Sequence, residues 1–502
     1  MKSSSEDATR DGTGPDLLLL LAPTGRGTLR RQLRESIRDA IRGGRLPSGS
    51  RLPSSRALAA DLGVSRGVVV DAYAQLSAEG FLAGRKGSGT AVAETGGYLP
   101  KHASEVLATV ERHRTSEIDL RPGPPDLGTF PRTAWAKVTR DVLRSIADAD
   151  LGYAPPWGVE ILREQLSAYL ARVRGVMSEP ADLVIVTGAT QGMTLLVRTL
   201  YAAGVGDIAV EAPSNPVQRQ VLTRYGVRIW DVPVDREGLD VDVLADTPAR
   251  AVIVTPGHQY PCGMVMSPAR RSALTRWADR VDGWVIEDDY DTVFRYDKMQ
   301  VGAVQALFPA RVALVGSVNK SLAPGLRLGW VVCPPNLVRD LRMAKRDDDF
   351  GSAVLEQHAL ARLIDTGEYD RHVRRLRKHY RKRRDTLVTA LEREVPDAVA
   401  EGYAAGLHLL LRLPAEVIEE QYVAAAETQG VAVLGTAAMY GTLPPRPGIV
   451  IGYGRTSPTM LEEAARRLAA AAAAMGQEQR ARSVRDGQAI ARRRPSTAVD
   501  YF

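Results

Sequence analysis

Five residues within one forty-residue stretch could share a piece of chemistry: Asp288, Tyr290, Ser317, Lys320 and Arg327. They stand in Val285-Ile-Glu-Asp-Asp-Tyr-Asp291 and in Val315-Gly-Ser-Val-Asn-Lys-Ser-Leu-Ala-Pro-Gly-Leu-Arg-Leu-Gly329. A lysine amine forms a Schiff base with an aldehyde, and a carboxylate keeps a pyridine nitrogen protonated. A phenol bonds a ring hydroxyl, while a hydroxyl and a guanidinium hold a phosphate. Each of these needs belongs to one part of pyridoxal 5'-phosphate (PLP). Singly, the residues have plainer readings: Asp288 and Asp289 as a solvated strand end, Lys320 as a surface lysine. Spacing and strand context together favour the cofactor.

Positioning them requires strands that end at the right places. Leu183 to Val186, Ile208 to Val210, Ala251 to Val254, Trp284 to Ile286 and Val312 to Val315 are apolar runs bounded by Gly, Pro or Asp. Fully apolar strands alternating with helices predict a mostly parallel sheet covered on both faces. Ligands of such sheets bind beyond the carboxyl ends of the strands. Strand 284–286 then delivers Asp288 and Tyr290, and strand 312–315 delivers Ser317 and Lys320. Strand 183–186 runs through Gly188 into a helix whose first amides, at Ala189 and Thr190, can cradle a phosphate. Lys320 must be neutral to attack an aldehyde, which desolvation or a neighbouring cation favours. From about residue 396 longer strands and an alanine-rich helix predict a smaller α+β subdomain.

The first ninety residues have another purpose. Leu29, Leu33, Ile37 and Ile41 recur every fourth position, and Gly43 and Gly44 stop that helix. Ser54 can cap a second helix carrying Leu58, Ala59 and Leu62, which Gly63 ends. Ser65 can cap a third, carrying Val69, Ala72, Tyr73 and Leu76. Two short helices joined by Gly63 and Val64 read as a helix-turn-helix, with Arg66 where base-reading side chains sit. Phe81, Leu82 and Thr90 to Val92 flank a turn with Arg85 and Lys86 at its tip and Gly87 and Gly89 beside them, a wing suited to phosphates or a minor groove. Arg51 and Arg56 flank the second helix and can clamp backbone phosphates. On periodicity alone a small three-helix protein-interaction module would read the same way.

At 502 residues the chain is too long for one core. Its divisions read as a polar, disordered 1–15, a DNA-binding domain at 16–93, a linker at 94–116, a cofactor domain at 117–475 and a flexible basic tail at 476–502. The formal charge of +7 permits nucleic-acid binding without proving it. Cys262 and Cys333 lack metal-ligand spacing, which argues against disulfides and zinc and fits a reducing cytoplasm. Leu17 to Leu21 is too short to span a bilayer, is preceded by acidic residues, and reads as an extended segment packed on the first domain. The basic run Arg371 to Arg384 could track DNA, although a solvated helix face accounts for it better.

Gly49-Ser-Arg-Leu-Pro-Ser-Ser-Arg56, Leu62-Gly-Val-Ser-Arg66, Ala78-Glu-Gly-Phe81 and Gly87-Ser-Gly-Thr90 resemble the winged helix of the GntR family of bacterial regulators. That resemblance implies DNA contacts from Arg56, Ser65, Arg66 and Gly87. Residues 117–475 resemble the fold-type I aminotransferases in Leu120-Arg-Pro-Gly-Pro-Pro-Asp126, Leu151-Gly-Tyr153, Thr255-Pro-Gly-His-Gln-Tyr-Pro-Cys-Gly263, Glu287 to Asp291 and Lys320 to Gly329. The whole resembles the MocR/GabR subfamily of GntR regulators. The resemblance implies that Lys320 carries the internal aldimine, Asp288 the pyridine nitrogen and Tyr290 the ring oxygen. Ser317, Arg327, Ala189 and Thr190 would hold the phosphate, with Tyr153 reaching it from the partner in a head-to-tail homodimer.

The chain departs from the pattern in places. A frequently basic position of the recognition helix is Val70, the ring-stacking aromatic of relatives is Asn215, and the asparagine beside the ring oxygen is Tyr260. Arg446 and Arg455 are the loop candidates for a substrate-carboxylate arginine, and neither sits in a clear motif. These departures weaken turnover more than binding. The expected function is a regulator that binds double-stranded DNA as a dimer, with PLP or its adduct with an amino compound as effector. The alternatives are an active aminotransferase with an appended DNA module, and a regulator whose second domain is a cofactor-free dimerisation scaffold.

Overall fold

The computed structural model describes residues 29–85, 89–93, 116–296 and 301–492, and the chain divides into two compact units, Met1–Arg114 and Thr115–Phe502. The expectations for 1–15, for Leu17 to Leu21, for the linker at 94–115 and for Lys86 and Gly87 lie outside the described residues.

In the first unit, α1 (Leu29–Arg42), α2 (Ser55–Leu62) and α3 (Arg66–Ala78) precede an antiparallel pair, β1 (Leu82–Arg85) and β2 (Gly89–Val92). Leu33, Ile37 and Ile41 of α1 meet Leu58 of α2 and Val69, Ala72, Tyr73 and Leu76 of α3 in one core, while Leu29 stays largely exposed. Each fully buried Leu or Ile contributes roughly 1.5–3 kcal/mol. Ser54 caps α2 by accepting from the Ala57 amide at 3.2 Å, and Gly63 ends it at φ +64°. Ser65 stands at the N-cap of α3, but its side chain makes no cap bond. This corrects the capping expectation and leaves an exposed hydroxyl beside Arg66.

The second unit is built on an eight-stranded sheet. In chain order its strands are β3 (Leu183–Val186), β4 (Asp207–Ala212), β5 (Arg228–Asp235), β6 (Gly238–Leu239), β7 (Ala251–Val254), β8 (Trp284–Asp289), β9 (Val312–Ser317) and β10 (Gly329–Val332). They lie in the order β3-β10-β9-β8-β7-β4-β5-β6. Strands β9, β8, β7, β4 and β5 are mutually parallel, while β10 runs antiparallel to both β9 and β3. The five expected apolar runs are all strands, buried on both faces between helices. A second sheet of Val399–Glu401, His408–Arg412, Gly448–Gly452 and Leu434–Gly435 forms the smaller subdomain.

The tail differs from expectation. The helix that begins at Pro458 continues to Arg492, so residues 476–492 are helical rather than irregular. Ala, Arg, Gln and Glu are strong helix formers, so a sequence rich in them can be helical without an apolar stripe. The basic run lies in the helix Glu368–Glu394, whose buried face includes Tyr369, Val373, Leu376, Tyr380 and Leu387. Arg383 points inward and pairs with Asp126 at 2.7 Å.

Candidate functional site: a lysine-bearing cleft and an exposed recognition helix

Three strand ends converge. Parallel pairing sets Asp288 of β8 beside Val315 of β9, so Asp288 and Tyr290 leave the sheet next to Ser317 and Lys320. On the far side of β10, β3 turns at Gly188 into the helix α4 (Ala189–Ala202). Gly188 has φ +101°, and a Cβ there would stand 3.0 Å from the Arg327 guanidinium. Only glycine meets both conditions. Arg327 donates to the Thr187 carbonyl and so lies against the start of α4, in the left-handed region at φ +52°.

A cleft of about 490 Å³ opens there, lined by Ala189, Thr190, Asn215, Tyr260, Asp288, Tyr290, Ser317 and Lys320 among others. Arg327 is exposed beside it rather than in its lining. Tyr153 is 95% exposed, stands off the cleft of its own chain, and meets Phe350 edge-on at 5.9 Å. Lys320 Nζ donates to the Gly123 carbonyl at 2.6 Å. Burial lowers its pKa against the pull of Asp291 and Asp288, which favours the neutral amine. Asp288 Oδ2 accepts from the Gln218 amide at 2.6 Å, while Oδ1 is shielded from solvent and has no partner among the described residues. Asp288 lines this cleft with one carboxylate oxygen unpaired among the described residues, and a protonated pyridine nitrogen is a partner such a carboxylate would take, so the residues fit PLP.

Tyr260 lines the cleft with its ring edge-on to Tyr290, 6.1 Å between centroids, and burial pushes its phenol up to about 12. Asn215 accepts from the Val217 amide at 3.0 Å and caps the helix Pro216–Arg224. That helix presents Gln218 to Asp288 one turn later, which gives Asn215 a structural use where relatives stack an aromatic. Of the two loop arginines, Arg455 borders the cleft and Arg446 does not. Arg455 pairs with Asp119 at 3.3 Å, and the same carboxylate holds a second cleft arginine, Arg121, at 3.0 Å.

Sequence reasoning passed over Gln218, Arg121, and the buried His258 and Asp291 behind Tyr290. His258 and Asp291 join His408 in placing one nitrogen or oxygen each within 4.8 Å of one another. Gln218 carries no motif. His258 and Asp291 sit inside quoted motifs, and their burial beside tyrosines is a product of the tertiary fold.

Burial, reinforced by Asp289, pushes Asp288 up to about 7, and burial pushes Glu211 and Glu287 up to about 7 as well. Folded values above the unfolded carboxylate range mean that the folded chain holds protons the unfolded chain has released. Their contribution to stability is full below the unfolded values, near 4, and is lost as pH rises through about 7. Buried His408 and His372, both lowered, act oppositely, but only as pH falls below the ordinary histidine range. The cofactor-free protein is therefore expected to melt at a lower temperature near pH ~8 than near pH ~6.5, with Asp288→Asn flattening part of that slope. Melting curves across that interval check the sign; an upward trend contradicts it.

In the first unit, Arg51, Arg56, Ser65 and Arg66 are exposed, and none of the three arginines has an ion pair among the described residues. Arg66 opens α3. Val70, on the same helix, is 43% exposed. The backbone of Arg85 ends β1.

A winged helix-turn-helix followed by a fold-type I aminotransferase-like domain defines a class of two-domain regulators. Residues 29–92 match the bacterial regulatory proteins of the gntR family, and residues 116–471 match aminotransferase class I and II. The chain belongs to the MocR/GabR subfamily of GntR-family regulators. It is 33% identical over 441 residues to the HTH-type pyridoxine biosynthesis transcriptional regulator PdxR of Corynebacterium glutamicum, covering 88% of this chain and 95% of that one. It is 31% identical to the probable rhizopine catabolism regulatory protein MocR of Rhizobium meliloti, covering 87% and 92%. Among solved structures, the Pyrococcus horikoshii kynurenine aminotransferase matches with a TM-score of 0.67 and 26% identity over 74% of this chain and 94% of that one. Among the described residues no helix is long and apolar enough to cross a membrane.

Proposed function

We propose that this chain is a transcriptional regulator that binds double-stranded DNA as a homodimer and takes PLP at Lys320 as effector, alone or joined to an amino compound. One observation carries the reading: Lys320, Asp288, Tyr290, Ser317, Ala189 and Thr190 border a single cleft. When bound, PLP supplies an aldehyde to Lys320 and an electron-withdrawing pyridine ring. Asp288 Oδ1 holds the proton at the ring nitrogen, and Tyr290 meets the ring oxygen with Tyr260 beside it. Ser317, Arg327 and the first amides of α4 hold the phosphate. Tyr153, exposed on its own chain, reaches the phosphate site of a second copy.

An effector regulates only by binding two states of the protein with different affinity. The relatives named for pyridoxine biosynthesis and rhizopine catabolism favour vitamin B6 synthesis as the controlled process, with amino-compound metabolism second. Competition binding tests the DNA half of the reading. A selected duplex should displace random duplex at moderate salt, and failure of every sequence to do so would retire the proposal.

The complete Lys320, Asp288 and Tyr290 set favours residual amino-group transfer as a second reading. Against it, the arginines at the cleft, Arg121 and Arg455, are both engaged with Asp119. Steady turnover of an amino donor with a keto acid would establish the enzymatic reading.

A further inference from the structure

Behind Tyr290 lie two polar side chains that the cofactor reading does not use. His258 is 2% exposed and Asp291 1%. His258 Nδ1 lies 3.1 Å from both carboxylate oxygens of Asp291 and 3.1 Å from Tyr290 Oη. The packing is close on every side. Gly406 approaches at φ +70°, where a Cβ would fall 2.3 Å from the His258 ring and 2.4 Å from Asp291. The His408 ring lies over Tyr290, 6.3 Å between centroids and inclined by 29°.

A carboxylate offers only acceptors, so the hydrogen shared between Asp291 and His258 belongs on Nδ1. Nδ1 then has no lone pair left for Tyr290, so Tyr290 Oη cannot donate to it and at most accepts a share of that one N–H. Its own hydrogen must turn elsewhere, and the wider of the two openings that Tyr290 lines is the cleft it shares with Lys320 and Asp288. We infer that His258 and Asp291 are positioning residues: they fix the Tyr290 hydroxyl as a donor into the cleft, toward the ring oxygen of PLP. The inference rests on the proposed cofactor site and specifies what holds one of its contacts.

The consequence is spectroscopic. A donor at the ring oxygen draws electron density from it, so the proton that this oxygen shares with Lys320 Nζ in the bound state is held less tightly. Losing the donor raises the pH at which the Lys320-dependent visible band titrates. The titratable groups facing Tyr290 are Asp288 and Asp291 from its own segment, His258 and Tyr260 from the loop after β7, and Glu211 from β4. His408 and Lys320 face it as well, and Asp289, Arg174, Tyr169 and Tyr369 share a small cavity with it. All but the substituted residue persist in each variant, so the comparison isolates the pair.

The test is a pH titration of that band in full-length protein loaded with PLP. His258→Ala is expected to raise the apparent pKa by about one unit, in the same direction as Tyr290→Phe. The double variant should shift no further than Tyr290→Phe alone, because both changes remove one contact. His258→Asn, whose amide can replace the Nδ1 donor, should return the value toward wild type. A titration of His258→Ala coincident with wild type, or a shift that adds fully to that of Tyr290→Phe, overturns the inference. Should His258→Ala not accumulate as folded protein, His258→Leu, which keeps the Asp291 charge and removes the ring N–H, is read in its place: a raised value supports the inference and an unchanged one overturns it. A wild-type protein with no Lys320-dependent band overturns the cofactor reading and this inference together. A wild-type band with unmoved variants overturns the inference alone.

Discussion

Replacing Lys320 by alanine is expected to abolish the visible band that PLP develops with the wild-type protein, leaving only the spectrum of free cofactor. Nζ is the amine that the fold delivers to the cleft, held to the Gly123 carbonyl at 2.6 Å and lined up with Asp288, Tyr290 and Ser317. Its lowered pKa comes from burial, so the neutral, nucleophilic form is populated at lower pH than for a solvated lysine. The fold should survive the change, because Lys320 holds only that one carbonyl and no ion pair among the described residues. Absorption titration of wild type and variant checks this. A band that persists in Lys320→Ala would place the reacting amine elsewhere, and a band in neither protein would favour the cofactor-free scaffold.

The second large effect concerns DNA. Arg66→Ala is expected to weaken binding to the selected duplex by roughly fivefold to 150-fold, the ~1–3 kcal/mol of a well-formed arginine–guanine pair. Random duplex should change far less. Arg56→Ala should behave differently, weakening both duplexes together and reducing the salt dependence, as a phosphate contact does. Ser65 makes a control of another kind. Its side chain forms no cap bond, so Ser65→Ala should leave the melting temperature nearly unchanged and show its effect in DNA affinity. Anisotropy titrations at two salt concentrations separate these outcomes; equal losses on both duplexes for Arg66→Ala would remove it from base reading.

Much of the cleft was legible because its residues follow apolar strands. Asp288, Ser317 and Lys320 each lie at or just past the carboxyl end of a run buried on both faces, and such runs declare their ends in sequence. The start of α4 was legible for the same reason, through Gly188. Other parts depend on tertiary neighbours. Gln218 reaches Asp288 across seventy residues, and Arg121 and Arg455 meet at Asp119 from opposite ends of the domain. Strand β5 mixes Trp230, Asp231 and Pro233 and is only partly buried, so it carries no apolar run to betray it. The helical continuation through 476–492 was hidden because its Arg/Gln/Ser mixture shows no apolar period. Asn215 reads as the loss of a ring-stacking aromatic, and its second use as a helix cap has no sequence signal beyond the proline that follows.

The central claim is that PLP at Lys320 changes how tightly this chain holds DNA. The most direct measurement is the affinity for a selected duplex with and without saturating PLP, in wild type and in Lys320→Ala. Coupling free energies between sites are typically about 1–3 kcal/mol, so the wild-type affinity should change by roughly fivefold or more. The Lys320→Ala protein should bind the duplex without PLP as wild type does and show no such change on adding it. An identical affinity with and without PLP in wild type would contradict the claim, since a ligand bound equally by both states shifts nothing.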